Sequence, residues 1–94
     1  MNTVEFMETF IKESIIKEFA AQMILAKNKH LDYVKGLSDP FITMCENDEN
    51  SKKFALTNIA YWEHDTLQGG VYNISGVLYN NGKIIINEYD VRYN

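Results

Sequence analysis

One cysteine, one proline, one arginine and two histidines among 94 residues remove several kinds of protein from consideration. Cys45 has no partner for a disulfide within the chain, so stability does not depend on an oxidising compartment. That thiol and the two histidines, His30 and His64, show no zinc-ligand spacing. No apolar run approaches the roughly 20 residues that span a bilayer, and no membrane association is expected. The opening residues carry Glu5 and Glu8 and lack the basic-then-apolar order of a secretion signal, which makes the cytoplasm the expected location. Nine basic residues against thirteen acidic ones give a net charge of −4. A grip on phosphate backbones needs a basic stripe, so direct nucleic-acid binding is not expected.

What remains is apolar and aromatic. Hydrophobic residues make up 46% of the chain and charged ones 23%, the proportions of a folded domain rather than a disordered one. A chain of this length supports one core, hence a single domain over residues 1–94. Asn, Ile, Lys and Tyr are plentiful, the bias of an AT-rich genome such as a low-GC bacterium or its phages and plasmids. Asn73-Ile74-Ser75 matches a glycosylation acceptor but falls inside an expected strand, and it is set aside.

The strongest local signal is Asn81-Gly82, a pair suited to the two positive-φ positions of a type I′ hairpin turn. Setting Asn80 opposite Lys83 places Leu78 on Ile85, Ile74 on Tyr89 and Tyr72 on Val91 along one apolar face, with Gly76 opposite Asn87. The other face then pairs Ser75 with Glu88, Asn73 with Asp90 and Val71 with Arg92. A slip by one residue would mix the two sets, so turn and pattern specify the same hairpin.

Upstream, a helical stripe gathers Ile15, Ile16, Phe19, Met23, Ala26, His30, Tyr33 and Val34 between Ser14 and Lys35, with Gly36 suited to end it. Val4, Phe6, Met7, Phe10 and Ile11 form a second apolar face, rotated by more than a third of a turn. Either a short helix ends near Glu13 and Ser14 caps the next, or one long helix shows two faces to two surfaces. Residues 38–53 read as a connector, with an extended or helical piece at Phe41–Met44 and a polar loop after it. Phe54 to His64 reads as the first strand, its inner face carrying Phe54, Leu56, Ala60 and Trp62. The expected fold is therefore α+β, with a helical segment (1–37), the connector (38–53) and a sheet (54–94). One long amphipathic helix packs on a curved three-stranded antiparallel meander. Cystatin-like and small cone-shaped folds share this order of elements, an analogy of architecture that transfers no function.

Candidate chemistry is sparse. Glu63-His64-Asp65 is the most reactive-looking cluster, yet neighbouring strand residues point to opposite faces, and a polar strand end is the plainer reading. Cys45 lacks a histidine nearby in sequence and reads as an inert, partly buried thiol. Glu46, Asp48 and Asn50 space their oxygens like the start of a calcium loop, but Ser51 and Thr57 stand where the turn glycine and the bidentate glutamate belong. No metal, cofactor or catalytic residue is expected.

The feature with more content is apolar surface that the core does not need. In the expected register the outer face near the hairpin tip carries Val77 opposite Ile86 and Tyr79 opposite Ile84. Phe6 and Phe10 add to it if the N-terminal segment is free, and the alternative is that Phe6, Met7 and Phe10 fold back and cover the tip. Val77, Tyr79, Ile84, Ile86, Phe6 and Phe10 are the expected contacts of a small acidic interaction protein that binds another protein or a second copy of itself. Acidic stretches at Glu46–Glu49, Glu63–Asp65 and Glu88–Asp90 would steer a basic partner. Small size and AT-rich composition make the concrete version an accessory factor of phage or mobile-element type, either an inhibitor of a host or defence enzyme or a toxin-immunity protein. An alternative is a ligand pocket or minimal enzyme between helix and sheet, lined by Phe19, Met23, Trp62 and Tyr72 with His30 as its polar group. A second alternative is a nucleic-acid mimic.

Overall fold

A left-handed residue, Asn28 (φ 51°), decides where the helical part of this chain stops. Its N–H donates to the carbonyl of Ile24 and that of Lys29 to the carbonyl of Met23, a C-terminal cap in which asparagine does the work more usual for glycine. In the computed structural model, which describes residues 3–93, α1 is thus one continuous helix over Thr3–Lys27. The expected stop at Gly36 is overturned. His30, Tyr33 and Val34 matched the helical stripe by coincidence of spacing, and Leu31–Tyr33 forms a short strand, β1, with Leu31 buried and Asp32 exposed. Ser14 starts no second helix, since its hydroxyl donates back to the Phe10 carbonyl one turn earlier.

Four further strands follow: β2 (Phe41–Asp48), β3 (Ser51–Glu63), β4 (Gln68–Tyr79) and β5 (Ile84–Tyr93). Every strand pairing is antiparallel, in the order β1-β3-β4-β5, and β2 shares with β1 the same flank of β3. The fold is α+β, with five strands where three were expected. Half of the connector is strand β2, hidden in the sequence because its outward residues include Glu46 and Asp48 and nearly all of it is exposed. The turn after it is closed by Asp48, whose carboxylate accepts from the Asn50 N–H and the Ser51 hydroxyl, each at 2.8 Å. Those hydrogen bonds, the one from the Asn50 backbone foremost, hold its carboxyl below the usual range. The calcium-like spacing is therefore a turn.

Two irregularities correct the expected faces. Asn58 takes a positive φ of 65° and inserts a bulge between Leu56 and Ile59, so the inner face runs Phe54, Leu56, Ile59, Tyr61, Glu63, and Ala60 and Trp62 turn to the outer side. At the hairpin tip only Gly82 has positive φ (93°). Its N–H donates to the Tyr79 carbonyl, and the Tyr79 N–H donates to the Lys83 carbonyl. The connection is a three-residue loop ending in a left-handed glycine rather than a type I′ turn. Leu78 consequently faces Ile84, and Val77 faces Ile85. A bulge at Asn87 takes up the offset, so the pairs Ser75–Glu88, Ile74–Tyr89, Asn73–Asp90, Tyr72–Val91 and Val71–Arg92 keep their expected register.

The core lies between the C-terminal half of α1 and the inner face of the sheet. Ile15, Ile16, Phe19 and Met23 pack on Phe54, Leu56, Ile59 and Tyr61 of β3 and on Tyr72 and Ile74 of β4. Phe19 is its centre, with ring centroids 5.8 Å from Tyr61, 5.6 Å from Tyr72 and 5.3 Å from Tyr89, tilted or edge-on as aromatic quadrupoles prefer. Tyr61 keeps its hydroxyl satisfied by donating to the Ile16 carbonyl at 2.7 Å. Among the described residues no helix is long and apolar enough to cross a membrane.

Gly76 sits opposite Ile86, beside the bulge, where a Cβ would run into the backbone carbonyl of Ile85. Backbone cannot yield as a side chain can. Gly76→Ala is expected to cost roughly 1–3 kcal/mol or more, as overpacking does, read as a lower urea midpoint at unchanged m.

Candidate protein-binding end of the fold

A helix of 25 residues is roughly 37 Å long, and only its second half is seated. The line that carries Ile15, Ile16, Phe19 and Met23 continues toward the N-terminus through Glu8 and Lys12, which the core cannot accept. Lys12 instead donates to the Pro40 carbonyl at 3.0 Å. The apolar residues of the first turns lie to the side of this line and stay in water: Val4 is 72% exposed, Phe6 59%, Phe10 58% and Met7 48%. One long helix thus shows two faces, as one of the two sequence readings required.

Beneath those turns the sheet offers further apolar side chains. A cleft of about 420 Å³ opens between Met7, Phe10 and Ile11 above and Met44, Leu78, Tyr79 and Ile84 below. A second cleft, about 400 Å³, adjoins it on the β2 side, where Val4, Met7 and Ile11 face Ile42 and Met44. Met7, Ile11 and Met44 line both, so this end of the molecule is one apolar concavity divided by the helix. Its charged lining residues are Glu8 and Lys52, the latter in an exposed pair with Glu46 at 3.9 Å.

The six residues expected to make contacts are redistributed by the tip register. Ile84 and Ile86 face inward and pack at the margin of the core, while Val77 lies on the outer face opposite Ile85. Tyr79 and Ile84 line the first cleft, Phe10 joins them from the helix, and Phe6 is exposed beside it. Val77 and Ile86 stand apart from this end. Met7, Ile11, Met44 and Leu78 were missed, and the rotated apolar face of residues 4–11 was the signal that pointed to half of them.

The other candidates have structural employment. His30 is not on the helix. Its backbone N–H donates to Asp65 at 2.7 Å, and its Nδ1 lies 3.1 Å from the same carboxylate. Those bonds, the backbone one first, hold the Asp65 carboxyl below its usual range. His64 pairs across the strands with Asp32, Nε2 to Oδ2 2.6 Å. The two His–Asp pairs stitch β1 to the end of β3 on an exposed surface. Among the described residues no group of three or more His, Cys, Asp or Glu is placed to hold a metal. The site imagined around Phe19, Met23 and Tyr72 is filled by the aromatic core, and Trp62 is on the opposite face of the sheet. Cys45 is exposed rather than partly buried.

Among the described residues Glu63 is the one buried carboxylate, with no exposed surface. Tyr72 donates to it at 2.5 Å and Thr66 at 3.0 Å, while Lys29 lies 3.3 Å away and itself donates to the Tyr93 hydroxyl. Burial would raise this carboxyl, but the hydrogen bonds from Tyr72, Tyr93, Thr66 and Lys29 outweigh it and hold it below the usual range. The Tyr72 phenol is pushed up, by burial first and then by the carboxylate. Burial also works against the Lys29 ammonium, yet its bonds to Tyr93 and Glu63 raise it on balance. A phenol and an ammonium made less willing to release protons, around a carboxylate made less willing to accept one, form a clasp rather than an acid–base site.

Comparison with known proteins adds no assignment, since no protein-family model, no curated protein and no solved structure matches the chain.

The clasp has a pH signature. A carboxyl lowered in the folded state contributes fully above its unfolded value, about 4.3, and loses that contribution as pH falls through the folded value. Glu63→Gln is expected to cost about 3 kcal/mol at neutral pH by leaving Lys29 unpaired. It is also expected to flatten the loss of stability below about pH 4.3. Urea unfolding of both proteins at a series of pH values tests both effects.

Proposed function

We propose that this chain is a non-enzymatic protein-binding domain, whose uncovered apolar end is the surface it presents to another protein. The observation that carries the reading is the exposure of Phe6 and Phe10 above a concavity that is itself apolar. Burying what each ring leaves in water would stabilise a complex by about 2–3 kcal/mol before association costs. Two such anchors beside Met7, Tyr79 and Ile84 are the kind of central apolar cluster that carries most of the energy of an interface. The helix itself is the element offered, and a partner groove or a partner helix seated against residues 4–11 would complete the packing that the sheet leaves unfinished.

Steering toward a basic partner falls to Glu46, Glu49 and Glu88, all exposed, because Glu63 is buried and Asp65 is engaged with His30. In the concrete form of the proposal, the protein works in the cytoplasm as an accessory factor of a phage or other mobile element. It would act as an inhibitor of a host or defence enzyme or as an immunity protein against a toxin. What supports this form is the small acidic chain, its AT-rich composition and a core occupied by its own aromatic and aliphatic side chains.

Phe6→Asp with Phe10→Asp tests the reading without touching the core, since both side chains are exposed. The double variant is expected to keep the wild-type unfolding midpoint and to lose every protein that the wild type retains in affinity capture from its native cell. Equal retention by both baits, or no protein retained by the wild type, would count against a binding role for this end.

A further inference from the structure

Strand β5 is a ten-residue edge with little to protect it. Edge strands usually carry proline, lysine, an inward-pointing charge or a bulge that discourages pairing with another chain. On the opposite flank the sheet is broken into β1 and β2, with a register shift at Glu46–Asp48 and Pro40 between them. β5 contains neither proline nor lysine, and its inward residues are Ile84, Ile86, Tyr89, Val91 and Tyr93. Its one bulge, at Asn87, and a hydrogen bond from the Gln22 side chain to the Ile84 carbonyl both lie toward the tip. Residues 88–93 are left open.

The geometry points to a second copy of this chain as the occupant of that open segment, paired antiparallel along β5 about a two-fold axis at Val91. A two-fold contact is self-complementary, so residue i faces j and j faces i. Inward residues must face inward ones, and charge then selects the register from those that satisfy this. An axis at Tyr89 sets Glu88 against Asp90 of the second copy, twice. An axis at Asp90 pairs Glu88 with Arg92 twice but sets two aspartates face to face between them, and one at Arg92 sets two arginines face to face. Only the axis at Val91 opposes unlike charges throughout, with Asp90 against Arg92 and Arg92 against Asp90 on the outer face. On the inner face the same axis brings Tyr89 against Tyr93, twice. Arg92 is the only arginine in the chain, and among the described residues no carboxylate is within ion-pair distance of it. Among the described residues Asp90 is met only by the Asn73 amide, at 3.0 Å. Both side chains are exposed and free to reach across.

Space permits the arrangement. Phe19 touches Tyr61, Tyr72 and Tyr89 on three successive strands, which sets the helix above β4. In the paired sheet the two β4 strands are three spacings apart, roughly 14 Å, so the two helices share one face without colliding. The apolar ends then lie at opposite extremes of an eight-strand-wide sheet, and the dimer surface is distinct from them.

The test is native mass by light scattering coupled to gel filtration, with circular dichroism to confirm folding. The wild type is expected to run as a dimer. Asp90→Arg places Arg on Arg, and Arg92→Asp places Asp on Asp, so each variant alone is expected to fall to a monomer. Mixed in equal amounts, the two single variants restore both unlike pairs and are expected to form a one-to-one heterodimer. A single variant that failed to fold would reveal itself by dichroism, and the doubly swapped D90R/R92D, expected to be dimeric, then carries the test. A monomeric wild type overturns the inference. So does a dimer that both single variants leave intact, as would be found if Phe6 and Phe10 made the contact, and so does a mixture or double swap that fails to associate.

Discussion

A carboxylate without access to water is the constraint around which the rest of this fold is arranged. Glu63 ends β3 on the inner face, and unless it is met by donors its burial would cost more than any hydrophobic neighbour returns. The donors come from three places. Tyr72 arrives from β4, Thr66 from the turn between β3 and β4, and Lys29 from just beyond the helix, where it also donates to the Tyr93 hydroxyl of β5. Lys29 reaches this position only because Asn28 stops the helix where it does. Had the helix continued to Gly36, neither β1 nor the ammonium would be available, and Glu63 would be an unpaired charge. The cap, the short first strand and the clasp stand or fall together.

Much of the hairpin was legible in the sequence because two independent signals, face segregation and register, agreed from Val71 to Ser75. They parted company at the tip. Asn81-Gly82 signals a turn, but one left-handed glycine serves a three-residue loop as well as a two-residue one, and composition does not separate them. The resulting offset needs a bulge, and a bulge leaves no periodic trace when the extra residue is a polar Asn87 between Ile86 and Glu88. Asn58 hid in the same way, and it moved Ala60 and Trp62 to the other face. Strand β2 was obscured for a different reason. Its exposed edge carries acidic residues, and a polar edge strand reads like a loop.

The proposed binding end was half legible. The rotated apolar face of residues 4–11 is a conflict between neighbouring turns of one helix, visible without coordinates, since a helix seated along its whole length keeps its stripe in line. Below it, Met44 and Leu78 belong to strands whose placement had to be seen. Such conflicts between local pattern and global packing are costly, and they persist mainly where function requires them. The first turns of α1 are held by backbone hydrogen bonds and little tertiary contact, which puts them at the low end of local stability. A segment in that condition gains most from a partner.

An interior closed by aromatic rings leaves selectivity to the surface, and the surface divides into two parts with different physics. The first helical turns offer area and no register, because Phe6 and Phe10 accept any groove of suitable depth. The β5 edge would offer register and little area, because backbone pairing is blind to sequence until Asp90 and Arg92 select one alignment. A partner that met only the apolar end would be held by burial and chosen poorly. A symmetric pair of chains joined along β5 would carry two such ends at a fixed separation. A target able to engage both would gain from effective concentration what one weakly selective surface cannot supply. Geometry of the pair, more than chemistry at either end, would then decide which target is bound.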